Sequence, residues 1–377
     1  MLLSGRPLLD NPVDAALFVD REEPLTRIHT ALERGLNVLV TGDPGLGKTS
    51  LLRQVMYRAR AATGDPIDAH PMRFVRAQGI TGGPALLAQI VNGAPTRPGS
   101  TAELLDQLTA ERASIPDGTV DGDQAAGRGA TAETPRPVII VDDVTATAGH
   151  EVFGRLRDEL WETGYQWIVA ARAADRAGLL TPPADAFFET VIDLPALTAE
   201  AAAALLTTRL TPDPGALAAE IAELVGGNPR RLLAAARDLV DLPTAQHRPR
   251  IEAIALRNRR IHALGRPESM LAAELEALGG ASASDPALLD RLGWTRARAV
   301  QVLTKLEEEG LVVGRKWRPD RAGPGRCTGC CPRTRCWRTD HPRSRSDERA
   351  VAAGSAERPR VRFDTAGGAV GVAACAL

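Results

Sequence analysis

Cysteine is missing from the first 326 residues of this 377-residue chain. A disulfide scaffold is thereby excluded for most of its length. Aromatic residues make up only 3%, so a core must be assembled from Leu, Val, Ile and Ala. No apolar run approaches the roughly 20 residues that cross a bilayer. Met1 to Asp10 contains no apolar stretch of the length a secretory leader needs. A cytoplasmic protein without a membrane partner is therefore expected. Neither charge sign dominates: 46 Lys plus Arg face 47 Asp plus Glu, a net charge of −1. That excludes a uniformly basic nucleic-acid coat and leaves only local patches. The hydrophobic fraction of 44% is ordinary for a globular protein, and the length suggests two or three domains.

What is present begins with one stretch. Gly42-Asp43-Pro44-Gly45-Leu46-Gly47-Lys48-Thr49 fits G-x-x-x-x-G-K-[ST], the phosphate-binding loop. Leu36 to Val40 reads as a short buried strand entering it. Ser50 to Ala61, free of Gly and Pro, reads as the helix leaving it. Glycines allow successive backbone N–H groups to turn around a polyphosphate, and the helix N-terminus adds partial positive charge. Lys48 is then expected to reach the outer phosphates. The Thr49 hydroxyl is expected to hold Mg²⁺, with Ser50 completing the nucleotide contacts.

Further strands are expected at Arg73 to Ala77, Val138 to Asp143, Gln166 to Arg172 and Val191 to Pro195, with a helix over Thr81 to Val91. Val138-Ile139-Ile140-Val141 predicts a strand buried on both faces. It ends in Asp142 and Asp143, where open α/β sheets bind ligands. Ala110 to Pro137 holds few large apolar residues and reads as a loop without chemistry.

These motifs together resemble the AAA+ ATPases and the related STAND signalling ATPases. Phe18-Val19-Asp20-Arg21-Glu22 resembles their N-terminal box, which implies that Phe18 and Val19 line the adenine pocket. The Val138–Asp143 stretch resembles the Walker B motif. Asp142 then joins the Mg²⁺ shell, and Asp143 stands where the family often has a water-positioning glutamate. The shorter aspartate points to slow hydrolysis. Arg172 matches the sensor position near the γ-phosphate. Arg176 reads as a solvated loop arginine, with an inter-subunit finger as the alternative. Thr198 is a plausible N-cap opening a helical lid, with a second lid helix over Gly215 to Val225. Gly226-Gly227-Asn228-Pro229-Arg230 resembles the family's sensor 2 segment. That implies Pro229 against adenine and Arg230 toward the phosphates, with Arg231 as the alternative one register on.

Pro267 to Val313 carries its own signature. A short amphipathic helix is expected from Glu268 to Leu278. Asp285 caps a second helix that stops at Gly293, and Thr295 caps a third that Gly310 ends. Ala299, Val302, Leu303 and Leu306 share one face of that third helix, which leaves Arg298, Gln301 and Lys305 on the other. The segment resembles the recognition helix of winged-helix regulators, MarR-type among them, and such modules also follow AAA+ cores in archaeal replication initiators. Duplex DNA on the Arg298 face is one expectation; protein contact or self-assembly through this module is the other. Past Arg315 the composition shifts abruptly to Arg, Pro, Gly, Cys and Trp, as out-of-frame translation of GC-rich coding sequence would produce. Fourteen basic residues face six acidic ones between Arg315 and Asp364. A zinc knuckle is the alternative reading of the Cys327, Cys330, Cys331 and Cys336 cluster with His341, although its spacing matches no standard finger. A tail without a fold is expected there.

The expected architecture is thus α/β: a P-loop NTPase parallel sheet over residues 1–195, a helical lid over 196–265, a winged helix over 266–314 and a tail over 315–377. The expected cofactors are ATP and Mg²⁺. The expected partners are duplex DNA and further copies of the chain.

Overall fold

The computed structural model describes residues 4–60, 71–93, 99–115, 136–210, 216–240, 242–278, 280–316 and 335–339. Its centre is a five-stranded parallel sheet of β1 (Val38–Gly42), β2 (Met72–Arg76), β3 (Val138–Val144), β4 (Gln166–Arg172) and β5 (Thr190–Asp193). The spatial order is β2-β3-β4-β1-β5. The register pairs Gly42 with Arg172 and Arg76 with Asp142, so the strand ends carrying the predicted site residues lie along one edge.

Period-two alternation explains why the sheet is buried twice over. Leu39, Ile139, Val141, Val169 and Ala171 enter one hydrophobic cluster, with the helices Gly83–Asn92 and Thr101–Ser114 on that side. Val38, Val40, Val138, Ile140, Ile168 and Ala170 enter the other, with the helices Glu22–Glu33 and Lys48–Arg60. Ile140 is fully buried, and truncating it to Ala is expected to cost about 2–5 kcal/mol.

Helices Ala199–Arg209, Ala216–Val225, Pro229–Val240 and Thr244–Leu264 build a third cluster around Leu206, Ile221, Leu232 and Ile251. Helices Arg266–Leu278, Pro286–Leu292 and Arg296–Glu308 form a fourth around Leu271, Leu288, Leu303 and Leu306. Caps act where the sequence places them. Thr198 Oγ1 accepts from Ala201 N, Asp285 Oδ1 from Ala287 N and Thr295 Oγ1 from Arg298 N.

Two expectations need correction. Residues 110–114, read as the start of a loop, instead close the helix Thr101–Ser114, which opens on a capping box between Ser100 and Glu103. Its buried stripe is only Leu104 and Leu108, too thin a signal for periodicity alone. The expectation of no fold beyond Arg315 is also corrected in part. β7 (Val312–Lys316) is paired antiparallel by β8 (Arg335–Thr339), which lies between β6 (Ala281–Ser282) and β7. Sheet pairing is made by backbone N–H and C=O groups, so a composition rich in Arg, Cys and Trp does not prevent it. Residues 116–135, together with Cys327, Cys330, Cys331 and His341, lie outside the described residues.

Candidate functional site

The loop between β1 and the helix Lys48–Arg60 turns on two glycines in left-handed backbone geometry, Gly45 at φ 88° and Gly47 at φ 95°. A Cβ on Gly47 would meet no atom within 4 Å, whereas one on Gly45 would strike Asn228 and Arg230. Gly47 therefore keeps the cradle open, and Gly45 lets Asn228 and Arg230 approach it. Lys48 Nζ folds back over the loop and donates to the carbonyls of Gly42 (2.7 Å) and Asp43 (3.2 Å). Burial lowers its pKa below the usual lysine value, against the pull of Asp142 and Asp143.

Across the sheet, Thr49 Oγ1 donates to Asp142 Oδ2 at 2.8 Å. The strand β3 brings Asp142 there at 6% exposure. Burial raises its pKa above the ordinary carboxylate value, and the Thr49 hydrogen bond only partly offsets this. One position on, the pairing of β3 with β4 slips between Val141 and Val144, and Asp143 takes φ 63°. That bulge turns Asp143 into the cleft, at a backbone cost of about 1–2 kcal/mol. Arg172 lies at the end of β4, 3.2 Å from Asp175.

The helices that follow β5 close the other side. Asn228 is the link that sequence reasoning passed over. Its side chain donates to the Pro44 carbonyl (3.0 Å) and accepts from the Arg230 and Arg231 amides. Gly227 packs so closely that a Cβ there would lie 1.9 Å from the Leu197 carbonyl oxygen. Pro229 and Arg230 both line the resulting cavity, and burial lowers the Arg230 pKa. Arg231 does not line it; its guanidinium is 3.8 Å from Glu276.

This cavity, about 400 Å³, is walled by Gly45 through Ser50, Asp142, Asp143, Arg172, Phe18, Val19, Pro229 and Arg230. Nearly every nucleotide position read from the sequence is thus in one cleft. Phe18 packs on the sheet cluster and Val19 on the lid cluster, so the two sit astride the junction. Of the loop's outer residues, Gly42 lies at the β1 end and packs on Leu194, while Asp43 lines a neighbouring cavity. Arg21, at φ 79° and nearly buried, donates to the Pro195 carbonyl at 2.7 Å and braces loop and linker. Arg176 does not enter the cleft; it pairs with Asp193 at 3.0 Å.

The donor set fits a magnesium-bound nucleoside triphosphate. Glycine-loop amides and Lys48 suit the phosphates, a hydroxyl and a carboxylate meet at the metal position, and apolar side chains flank the far end. Among the described residues, no group of three or more His, Cys, Asp or Glu is placed to hold a metal by itself.

The second predicted surface is less coherent. Arg298, Gln301 and Lys305 are all exposed, opposite Ala299, Val302, Leu303 and Leu306. Lys305, however, turns to the buried Glu268 carboxylate at 2.6 Å, and Arg298 stacks over Trp294 with its guanidinium 4.9 Å from the ring centroid. No described helix is long and apolar enough to cross a membrane.

Residues 17–169 match the family model described as AAA ATPase domain. No curated protein matches the chain. Among solved structures, the chain is similar to the Aeropyrum pernix ORC1 protein in complex with DNA, at 17% identity and a TM-score of 0.48, over 91% of this chain and 95% of that one. It is also similar to Drosophila ORC bound to DNA, at 14% identity and a TM-score of 0.45, over 93% and 89% of the two chains. A third is Cdc6p from Pyrobaculum aerophilum, at 14% identity and a TM-score of 0.42, over 92% and 96%.

Proposed function

We propose that this chain is an ATP-binding switch of the AAA+ type that hydrolyses ATP slowly and couples its nucleotide state to DNA binding through the C-terminal module, as a regulator would. The observation that carries the nucleotide reading is the 2.8 Å contact of Thr49 with Asp142, in the same cleft as Lys48 and the lid's Arg230. Bound Mg²⁺–ATP would supply the reactive phosphoryl group and the metal counter-charge. Thr49 and Asp142 hold the metal side of the cleft. Lys48 leaves the Gly42 and Asp43 carbonyls to meet the outer phosphates. Asp143, turned inward by its bulge, accepts a hydrogen bond from a water and aligns it for in-line attack. Arg172 and Arg230 offset charge from the core and lid sides. A turnover above about 10 per second would contradict the slow-switch reading.

In this reading the three helices and β6-β8-β7 sheet form a winged helix whose Arg298–Gln301 face meets duplex DNA. A second reading is a signalling scaffold whose ATP state gates self-assembly without DNA. The Lys305–Glu268 ion pair favours it, because that contact removes one of the three proposed donors from the surface. Sizing the purified protein with ATP, ADP or neither, each with and without duplex DNA, separates the two. ATP-dependent co-elution with DNA supports the regulator. ATP-dependent oligomers that ignore DNA support the scaffold. Absence of nucleotide binding overturns both.

A further inference from the structure

The C-terminal module reaches the nucleotide cleft. Glu274, on the helix Arg266–Leu278, and Arg291, on Pro286–Leu292, both line the cavity that holds Lys48, Asp143 and Arg230. The Glu274 side chain is only 4% exposed. Its two carboxylate oxygens are divided between elements: Oε1 lies 3.8 Å from Arg172 of the core, and Oε2 accepts a hydrogen bond from Arg291 at 3.2 Å. A carboxylate held between two guanidiniums makes the same contacts that a terminal phosphate makes, because both present planar or tetrahedral anionic oxygens to N–H forks.

The surroundings give this carboxylate a second place to go. Arg172, Glu274 and Arg291 also line an adjacent cavity of about 250 Å³. That neighbouring space is bordered by Arg231, His262 and Arg266. The cluster is therefore a partition between two compartments, with cations on both sides. Two anions cannot share Arg172 and Arg291 without repulsion, and within a buried site that repulsion is weakly screened.

We propose that Arg291 is a phosphate-binding residue of the nucleotide site contributed by the C-terminal module, and that Glu274 competes with the terminal phosphate for Arg172 and Arg291. This rests on the nucleotide reading above and extends it. A triphosphate displaces Glu274 toward the second cavity and loosens the hold of the helix Arg266–Leu278 on the core. A diphosphate, lacking the outermost group, leaves Glu274 in place. The module thus senses the difference of one phosphate directly.

The test uses the full chain and two probes, a non-hydrolysable ATP analogue and ADP, with affinities measured by calorimetry in Mg²⁺. Glu274→Gln is expected to tighten the ATP analogue about tenfold, a typical size for coupling between sites, and to leave ADP nearly unchanged. Adding Arg291→Ala to Glu274→Gln is expected to cancel that gain. Equal shifts for both nucleotides, or a gain that survives removal of Arg291, overturn the proposal while leaving the nucleotide site standing. Loss of all binding in the wild-type chain overturns both. Should Glu274→Gln fail to fold, hydrogen exchange on the wild-type protein decides. Faster exchange in Arg266–Leu278 with the ATP analogue than with ADP supports the competition, and identical exchange overturns it.

Discussion

The cleft and the face of the helix Arg296–Glu308 were both read from the same sequence, yet the fold treats them differently. In the cleft, residues from the loop after β1, from β3, β4, the segment around Phe18 and the helices after β5 converge on one cavity. On the helix face, Arg298, Gln301 and Lys305 keep their predicted side, but Lys305 is committed to Glu268 and Arg298 to Trp294. The difference is in what each prediction constrains. The phosphate loop is a backbone device, since Gly45 and Gly47 need positive φ, and the backbone leaves little freedom to do anything else. A row of long cationic side chains constrains only a direction, and any nearby carboxylate can take the charge.

Ways to break that contrast rank by expected size. Replacing Lys48 with Ala should weaken ATP binding by about 3 kcal/mol, roughly 100-fold, because it removes a charged donor from the phosphates. Retained affinity in a titration would place the cleft on the same footing as the helix face. Gly45→Ala comes next. It combines φ 88° with a Cβ 2.7 Å from Asn228 Oδ1, and about 2 kcal/mol of stability should be lost on thermal or urea unfolding.

On the other surface, Arg298→Ala should lower duplex-DNA affinity by about 1 kcal/mol and reduce the slope of log affinity against log salt by about 1. Lys305→Ala should leave that slope unchanged and instead lower stability, since it strands the buried Glu268. A change of salt slope in Lys305→Ala would show the ion pair opening for DNA.

The smallest effect concerns pH. The folded Asp142 carboxyl holds its proton more tightly than an unfolded one, because burial penalises its charge. Its contribution to stability is therefore complete below the ordinary carboxylate value, about 4, and is lost as pH rises through its raised value. Asp142→Asn should remove this dependence and stabilise the protein at neutral pH by about 1 kcal/mol, while abolishing the Mg²⁺ dependence of nucleotide binding. In the unaltered protein, Mg²⁺-dependent binding should weaken as pH falls through that same raised value. Denaturation and nucleotide titrations across pH 4 to 8 check both.

The sequence was most informative where local chemistry decides structure. Val138–Val144 is a strand because its β-branched run is buried on both sides, and Thr198, Asp285 and Thr295 cap the helices they precede. Gly226-Gly227-Asn228-Pro229 could be placed at a lid turn, yet nothing local says that Asn228 will reach the Pro44 carbonyl 184 residues away. The same limit hides Arg21 on Pro195, Glu274 on Arg172, and the return of Arg335–Thr339 beside β7. The helix Thr244–Leu264 eludes pattern reading for another reason, since it carries Pro249 and a diffuse apolar face.

Phe18 and Val19 are consecutive residues anchored in different bodies, one among the sheet's side chains and one among the lid's. A single peptide unit spans about 3.8 Å between Cα atoms. At that edge the two bodies are tethered on a leash one link long and cannot separate by translation unless one anchor is pulled free. Any gaping of the mouth must then be a rotation about this dipeptide, and it has to break the grip of Asn228 on the loop.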